Sequence, residues 1–332
     1  MSEAAPGAGA GTDDGAVFDA GAEVEPPAER ERRLELVRRV GAWFAEEARD
    51  LPWRRPGTTP WGVLVSEVMS QQTQVARVAP RWEAFLERWP DAATFAAASD
   101  ADAIRAWERL GYPRRALRLR ACAEAIVERH GGEVPASVEA LLALPGIGPY
   151  TAGAVAAFAF GIPAAVVDTN VRRVLARAIE GRADASAPSP RRDAVAWSRA
   201  LDGAVRAEAV AFAQGAMELG AVACTARSPR CEACPIADAC AWLAAGRPPL
   251  EEGAAPPRRA QPRFAGSLRE MRGRLLAELR AHGAVPRAEL EGRHGEDERY
   301  AKALDSLLAD GLAVDEGDGG IALPGEGRPG GP

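Results

Sequence analysis

The run CTARSPRCEACPIADAC sets Cys224, Cys231, Cys234 and Cys240 at the spacing C-x6-C-x2-C-x5-C. Four thiolates on one short loop can hold zinc or an iron–sulfur cluster. Zinc sites more often pair two short C-x-x-C knuckles, and this loop has a single one. A staggered loop suits a 4Fe–4S cubane, whose irons take ligands from four directions. A closed all-cysteine shell leaves no iron open to substrate, so its expected role is structural. Cys122 stands apart in a helical pattern and reads as a small core residue.

A second stretch, LPGIGPYTAG, runs from Leu144 to Gly153. Gly146 and Gly148 make a tight turn before an alanine-rich helix. Such a turn aims bare backbone N–H groups at whatever lies ahead of the helix, as proteins do to hold phosphate. Taken alone, the same residues serve equally as an ordinary helix entrance. Lysine chemistry is almost missing: of 41 basic residues only Lys302 is a lysine. A Schiff base needs an amine, and no lysine before residue 302 supplies one.

The 332 residues suffice for two modest domains or one large core with additions. A formal charge of −6 argues at first against a polyanionic partner. Seven acids and no base crowd into the first 29 residues, and without them the chain stands at +1. Residues 1–30 therefore read as a disordered acidic tail. The tail lacks the basic start and apolar run of a signal peptide. Residues 152–167 are apolar but short and broken by Gly161 and Pro163, a core helix and its exit rather than a membrane span. A cytoplasmic protein is expected, where clustered cysteines bind metal more readily than they pair.

Helical periodicity dominates the elements that must position these groups. Leu34, Val37, Gly41 and Phe44 mark one face of a first helix, and 61–78 reads as a second that ends near Pro80. Further helices fit 81–89, 100–110, 114–130, 137–143, 150–159, 169–180, 190–202 and 205–220. Strand patterns are nearly absent before residue 240, so the main domain, 31–242, is expected to be all-α. Residues 243–265 form a Pro- and Arg-rich linker. Helices at 268–281, 286–290 and 297–309, then a hairpin from 312–314 and 321–323, suggest a winged-helix-like module over 266–324, for protein docking or DNA contact. A short tail, 325–332, closes the chain.

LPGIGPYTAG, the aspartate of VVDTNVRRVLAR and the cysteine loop about fifty residues later resemble the helix-hairpin-helix DNA glycosylases with an iron–sulfur cluster. LPWR, SEVMSQQTQV, LGYPRRA and ELGAVACT narrow the resemblance to the adenine DNA glycosylase family. It spans roughly residues 31–242 in unbroken motif order, and implies a two-lobed fold with a 4Fe–4S cluster on the four cysteines. It also implies a monomer at work on duplex DNA with mispaired adenine, cytoplasmic and nucleoid-associated.

The resemblance assigns roles residue by residue. Leu144, Gly146, Gly148 and Thr151 belong to a hairpin that holds a DNA phosphate through backbone amides. Asp168, otherwise a plain N-cap, faces the oxocarbenium-like sugar, with Asn170 assisting from the next turn and the helix dipole favouring its charge. Glu67, on spacing alone a solvated helix glutamate, becomes the acid at adenine N7 if Val63, Leu64 and Val68 raise its pKa. Tyr150 stands where lyase relatives carry a Schiff-base lysine, so base removal without efficient strand cleavage is expected. Arg49, Leu51, Trp53 and Gln214 would line the pocket for the flipped base, although Leu51 and Trp53 serve equally well as core. Gln71, Gln72 and Tyr112 would wedge into the gap and touch the opposite base.

Two departures stand out. Pro113 follows Tyr112 where the family usually has a second tyrosine, and about ninety residues after Cys240 show no Nudix-like domain of the kind that recognises 8-oxoguanine. Two other readings fit parts of the pattern: a thymine glycosylase on T·G mismatches, and a non-catalytic redox-sensing DNA binder. QQTQV and Gln214 favour adenine over thymine, and the pair Glu67 and Asp168 favours an enzyme over a binder.

Overall fold

The computed structural model describes residues 25–185, 187–250, 263–317 and 319–326. Most of the acidic tail, residues 1–24, lies outside the described residues, as do 251–262 of the linker and 327–332 of the final tail. Among the described residues the chain is helical throughout, apart from one small sheet near the C-terminus.

Two lobes each enclose a core. The first holds α2 (Pro60–Ser70), α3 (Val75–Arg88), α4 (Ala92–Ala96), α5 (Asp100–Trp107), α6 (Arg114–His130) and α7 (Val138–Leu142). Its core is aromatic, with Trp61, Phe85, Trp89, Phe95 and Trp107 around Leu64, Met69 and Leu119. The second joins α1 (Pro27–Glu47) to α9 (Thr169–Ala178), α10 (Pro190–Ala200), α11 (Arg206–Val222) and the short α12 (Ala241–Ala244). Leu36, Val37, Val40, Val174, Leu175, Phe212 and Leu219 fill it. The buried face of α1 is thus Leu36, Val37, Val40 and Gly41, turned slightly from the expected Leu34–Phe44 stripe. Close packing sets the turn: a Cβ on Gly41 would sit 2.9 Å from Ala211 Cβ, and one on Gly215 2.6 Å from the Val40 oxygen.

Helix α8 (Pro149–Phe160) belongs to both lobes. Ala152, Val155 and Ala156 face the first core, while Ala154 and Ala157 face the second. A helix apolar on every side must be buried on every side, and small side chains let both lobes close on it. Gly153 makes the tightest approach, since a Cβ there would stand 2.3 Å from the Ala165 carbonyl oxygen.

The expected helix 61–78 is two helices. The chain leaves α2 at Ser70, turns through 71–74 and re-enters helix at Val75, with Pro80 inside α3 rather than at an end. Gln72 adopts φ +56° in this turn. The buried Arg115 guanidinium donates to the Val68 and Met69 carbonyls at 2.7 and 3.1 Å, so the last turn of α2 is satisfied from outside the helix.

The C-terminal segment runs α13 (Leu268–His282), β1 (Val285–Pro286), α14 (Arg287–His294), α15 (Tyr300–Ala309), β2 (Val314–Asp315) and β3 (Gly320–Ala322). The antiparallel sheet has the order β1-β3-β2, with Val285 opposite Ile321 and Val314 opposite Ala322. The strand β1 takes the start of the expected helix 286–290. Strand β2 begins two residues late because Leu312 N–H caps α15 at the Leu307 oxygen, 2.9 Å. Met271, Leu275, Leu279, Leu304, Leu307 and Ile321 form this segment's core, and Ala101 and Ile104 of α5 join the same cluster. The segment is docked on the first lobe.

Overpacking at the lobe junction should be costly. Gly153→Ala is expected to lower stability by about 1–3 kcal/mol, read as a fall in denaturation midpoint with an unchanged slope. An unshifted midpoint would mean that Ala165 does not press on α8.

Candidate active site

Helix α2 carries Glu67 into the protein. Thr59 caps the helix, its hydroxyl accepting from Gly62 N–H at 3.1 Å, and every residue from Trp61 to Met69 is buried. Glu67 is only 7 % exposed. Burial pushes its carboxyl up to about 7, and the charge of Asp168 adds to the rise, against a hydrogen bond with Tyr150 and a weak pull from Arg54. The apolar-neighbour condition set by the sequence is met.

Asp168 is the N-cap of α9, its carboxylate accepting from Val171 N–H at 2.7 Å and from Asn170 Nδ2 at 2.9 Å. Burial raises its pKa, while the bonds from Val171 and Asn170 work against the rise. Asn170 is itself held. Arg173 Nη2 donates to Asn170 Oδ1 at 2.9 Å and to the Gly220 oxygen at 2.7 Å, and Arg173 Nε donates to the Cys224 oxygen at 2.7 Å. A bonded chain therefore runs from the aspartate to the first cysteine of the loop.

Tyr150, in the first turn of α8, stands between the carboxyls. Burial and the charges of Glu67 and Asp168 raise its pKa well above the usual phenol range, so the hydroxyl keeps its proton. It donates to Met217 Sδ at 3.2 Å and also shares a hydrogen bond with Glu67. A phenol has one proton to give. When Glu67 is protonated, its O–H can donate to the tyrosine oxygen; when it is ionised, the phenol proton can turn to it.

A cavity opens beside Glu67, lined by Trp53, Arg54, Thr58, Val63, Ser66, Phe158, Gln214 and Met217 among others. Of the four residues expected in the base pocket, Trp53 and Gln214 line it. Arg49 and Leu51 do not. The Arg49 guanidinium is engaged by Glu218 at 2.5 and 2.8 Å, and Leu51 is buried behind the 3-10 turn Pro52–Arg54. Arg54, Ser66, Phe158 and Met217 were missed, because their neighbourhood exists only once three helices meet. Glu218 was missed as well: 1 % exposed, it takes Arg49 on one side and Arg54 on the other, 2.9 Å from Arg54 Nη2. Burial alone would raise its carboxyl, but the bonds from Arg49 and Arg54 win and hold it near 2. An acid inside the apolar stretch of α11 was the available signal.

The hairpin turn lies between α7 and α8. Gly146 has φ +76°, which favours glycine, and a Cβ on Gly148 would meet nothing within 4 Å. Gly148 caps α8 without a side-chain bond, so the N–H groups of the first turn are left to an outside acceptor. Leu144 contributes backbone only, since its side chain lies in the first core. The Thr151 side chain is likewise withdrawn: 3 % exposed, its hydroxyl accepts from Gln71 Nε2 at 3.3 Å. Gln71 is thereby tied inward, whereas Gln72 is exposed and Tyr112 is 47 % exposed. Gln72 and Tyr112 both hold left-handed backbone, at φ +56° and +47°. Arg115 binds their loops together, donating to Thr73 Oγ1 and the Gly111 oxygen at 3.0 Å each. Its guanidinium also lies over the rings of Trp107 and Tyr112.

The four cysteines line a second cavity with Val174, Leu219, Ile236 and Trp242. All four are free thiols. Burial, with a smaller rise from the other three sulfurs and against a backbone bond at Ile236, pushes the Cys234 thiol up to about 11. Four thiolates can be ionised together there only around a multivalent cation. Arg177 Nη1 stands 3.5 Å from Cys224 Sγ and its guanidinium lies over Trp242.

Comparison with known proteins agrees with this arrangement. Residues 65–194 match the family described as HhH-GPD superfamily base excision DNA repair protein, and residues 224–240 match the iron–sulfur binding domain of endonuclease III. An adenine DNA glycosylase of Mycobacterium tuberculosis is 52 % identical over 86 % of this chain and 92 % of its own length. One of Mycolicibacterium smegmatis is 50 % identical over 88 % and 97 %. The structure of a thermostable thymine-DNA glycosylase superimposes with a TM-score of 0.58 at 26 % identity, covering 66 % of this chain and 99 % of that one. Half-identity across nearly the whole of both chains, with Glu67 at a cavity and bonded to Tyr150 and the cysteine loop intact, makes this chain a member of the adenine DNA glycosylase family, with a 4Fe–4S loop.

Proposed function

We propose that the protein removes adenine mispaired with 8-oxoguanine or guanine from duplex DNA, as a cytoplasmic monomer that does not cut the strand itself. The observation that carries this reading is Glu67: a carboxylic acid with a pKa near 7, beside a cavity and coupled through Tyr150 to a second carboxylate. Burial raises both carboxyls, but Asp168 alone accepts the bonds from Val171 and Asn170 that favour its ionised form, which suits it to stabilise charge and leaves Glu67 as the acid.

The step balances on these groups. Glu67 gives its proton to N7 of the flipped adenine, and the C1′–N9 electron pair leaves with the base. The sugar becomes oxocarbenium-like and faces the Asp168 carboxylate, whose charge stabilises it. Water adds to C1′, and ionised Glu67 takes the released proton, ready for the next cycle. Trp53 and Phe158 offer apolar walls for the base, and Gln214 and Ser66 offer hydrogen bonds at its edge. Tyr150 cannot form an imine, which supports hydrolysis without strand scission. Cys224, Cys231, Cys234 and Cys240 would hold the cluster, whose contribution would be structural, behind the Arg173–Asn170 support of Asp168.

Single-turnover base release from A·8-oxoguanine, A·G, T·G and A·T duplexes tests the reading. Release from the first two, with strand breaks appearing only after alkali, is expected. Release confined to T·G would overturn the substrate, and breaks without alkali would overturn the monofunctional reading.

An acid of pKa near 7 also sets the pH profile. The rate of adenine release should fall as pH rises through about 7, because the donor is lost. Glu67→Gln should cost about 10²–10⁴ in rate with duplex affinity nearly unchanged. Stability follows the same group. Its folded pKa lies above the unfolded 4.5, so the folded state holds the proton more tightly, and stability is lost as pH rises from about 4.5 through about 7. By pH 8 that loss amounts to about 3 kcal/mol. Glu67→Gln should therefore melt higher than the parent at pH 8 and gain much less at pH 5. Equal gains at both values would mean that Glu67 is not buried as an acid.

A further inference from the structure

The segment 266–326 has the element order of a DNA-reading winged helix, yet its charges are wrong for that task. Its third helix, α15, exposes Ala301, Lys302, Asp305 and Ala309, and Glu296, Asp297 and Glu298 precede it. The arginines around it are spent on neighbours: Arg272 on Asp310, Arg274 on Glu270, Arg287 on Asp315, Arg293 on Glu278 and Glu289, Arg299 on Asp297. Phosphate binding needs unpaired cations. On α15 itself Lys302 is the one cation.

What the segment does offer is contact with α5 and α6 at the two ends of loop 108–112, which presents Tyr112. At the end of α5, Glu108 takes φ +41° and its N–H turns to the Arg105 oxygen, 3.1 Å. The Ile104 carbonyl therefore loses the helix donor it would have had four residues on. Arg280 of α13 replaces it, Nε donating to Ile104 O at 3.1 Å. Arg105 returns the contact through Nε to the Arg280 oxygen at 3.4 Å and through an ion pair with Glu326. At the start of α6, Arg114 pairs with Asp310 at 3.1 Å, and Asp310 is held from behind by Arg272 at 2.7 Å. Arg77 and Arg81 of α3 grip the same loop from its other side, at the Arg109 oxygen and Glu108.

We propose that the C-terminal segment is a brace for the Tyr112 loop rather than a DNA reader, with Arg280 as the positioning residue that completes the end of α5. The proposal rests on the reading of Tyr112 as a wedge beside the flipped adenine. It gives residues 266–326 a use within the first lobe. A loop with left-handed backbone at Glu108, Gly111 and Tyr112 keeps that shape only if its surroundings over-determine it.

The test uses the full-length protein with Arg280→Met and Arg280→Lys. In the free protein, amide hydrogen exchange at 108–112 should speed up at least tenfold in Arg280→Met, with Arg280→Lys between the two. Affinity for an A·G duplex should weaken about three- to tenfold, while single-turnover release at saturating enzyme keeps its pH dependence. Should Arg280→Met fail to fold, Asp310→Arg, and its combination with Arg114→Asp, give the same readouts, the double change restoring what the single one loses. Unchanged exchange at 108–112 in these variants would overturn the brace. So would a lower salt dependence of DNA binding in Lys302→Gln, which would make α15 a phosphate contact. If the parent released no adenine from A·G, the functional reading would fall, and the exchange result would still decide the brace.

Discussion

A carboxyl group buried with no cation of its own is the constraint from which this structure can be understood. Glu67 rides a helix that has no solvent face, and the nearest guanidinium, Arg54, is already committed to Glu218. Had Arg54 been free to pair with Glu67, the carboxyl would have been held ionised, and the acid function lost. Glu218 prevents this by being the stronger partner: buried, doubly bonded and ionised throughout the physiological range. Of two acids on two helices, Glu218 thus takes both arginines and stays charged, and Glu67 is left poised. The fold bears the cost of desolvating Glu67 at neutral pH, and stability is given up where chemistry requires it.

Arginine does much of the work that regular structure does elsewhere. Arg33, Arg115, Arg173 and Arg177 are buried or nearly so, and each donates to backbone carbonyls distant in sequence. The planar fork can satisfy two or three carbonyls at once, which a lysine ammonium does with less directional control. Arg173 is the case that matters for the site. It links Asn170, which orients Asp168, to the backbone at Gly220 and Cys224, so the aspartate and the first cysteine of the cluster loop share one rigid support. No cysteine lines the cavity beside Glu67, so this support is the loop's bonded link to Asp168.

How far the sequence could be read followed from how local each signal was. The cysteine loop, the double-glycine turn and the Asp168 cap are each contained in a few residues, and they stand where the spacing put them. The break at 71–74 has no Gly or Pro to announce it, only the polar run Ser70 to Gln74; Arg115, 47 and 46 residues on from Val68 and Met69, takes the carbonyls of the α2 end. The side-chain engagements of Arg49 and Thr151 were hidden for the same kind of reason. Their partners, Glu218 and Gln71, are 169 and 80 residues away. A residue type shows what a side chain can bond, and only the folded chain shows what has already claimed it.

The loops that carry Gln72 and Tyr112 show why so much bracing is gathered at one place. Three side-chain-bearing residues there, Gln72, Glu108 and Tyr112, hold positive φ, each at a cost of about 1–2 kcal/mol. Left alone, such loops would relax. In the wedge role proposed for them, these loops would also bear the few kcal/mol that extruding a base from a duplex costs, and a wedge that yielded under that load would return the base to the stack. A stiff wedge must then be strained in advance and held from several sides. Arg115 holds it from beneath, Arg77 and Arg81 from α3, and Arg280 and Asp310 from the C-terminal segment. The strain is local, the support is spread across three parts of the chain, and stiffness at the wedge is what that distribution produces.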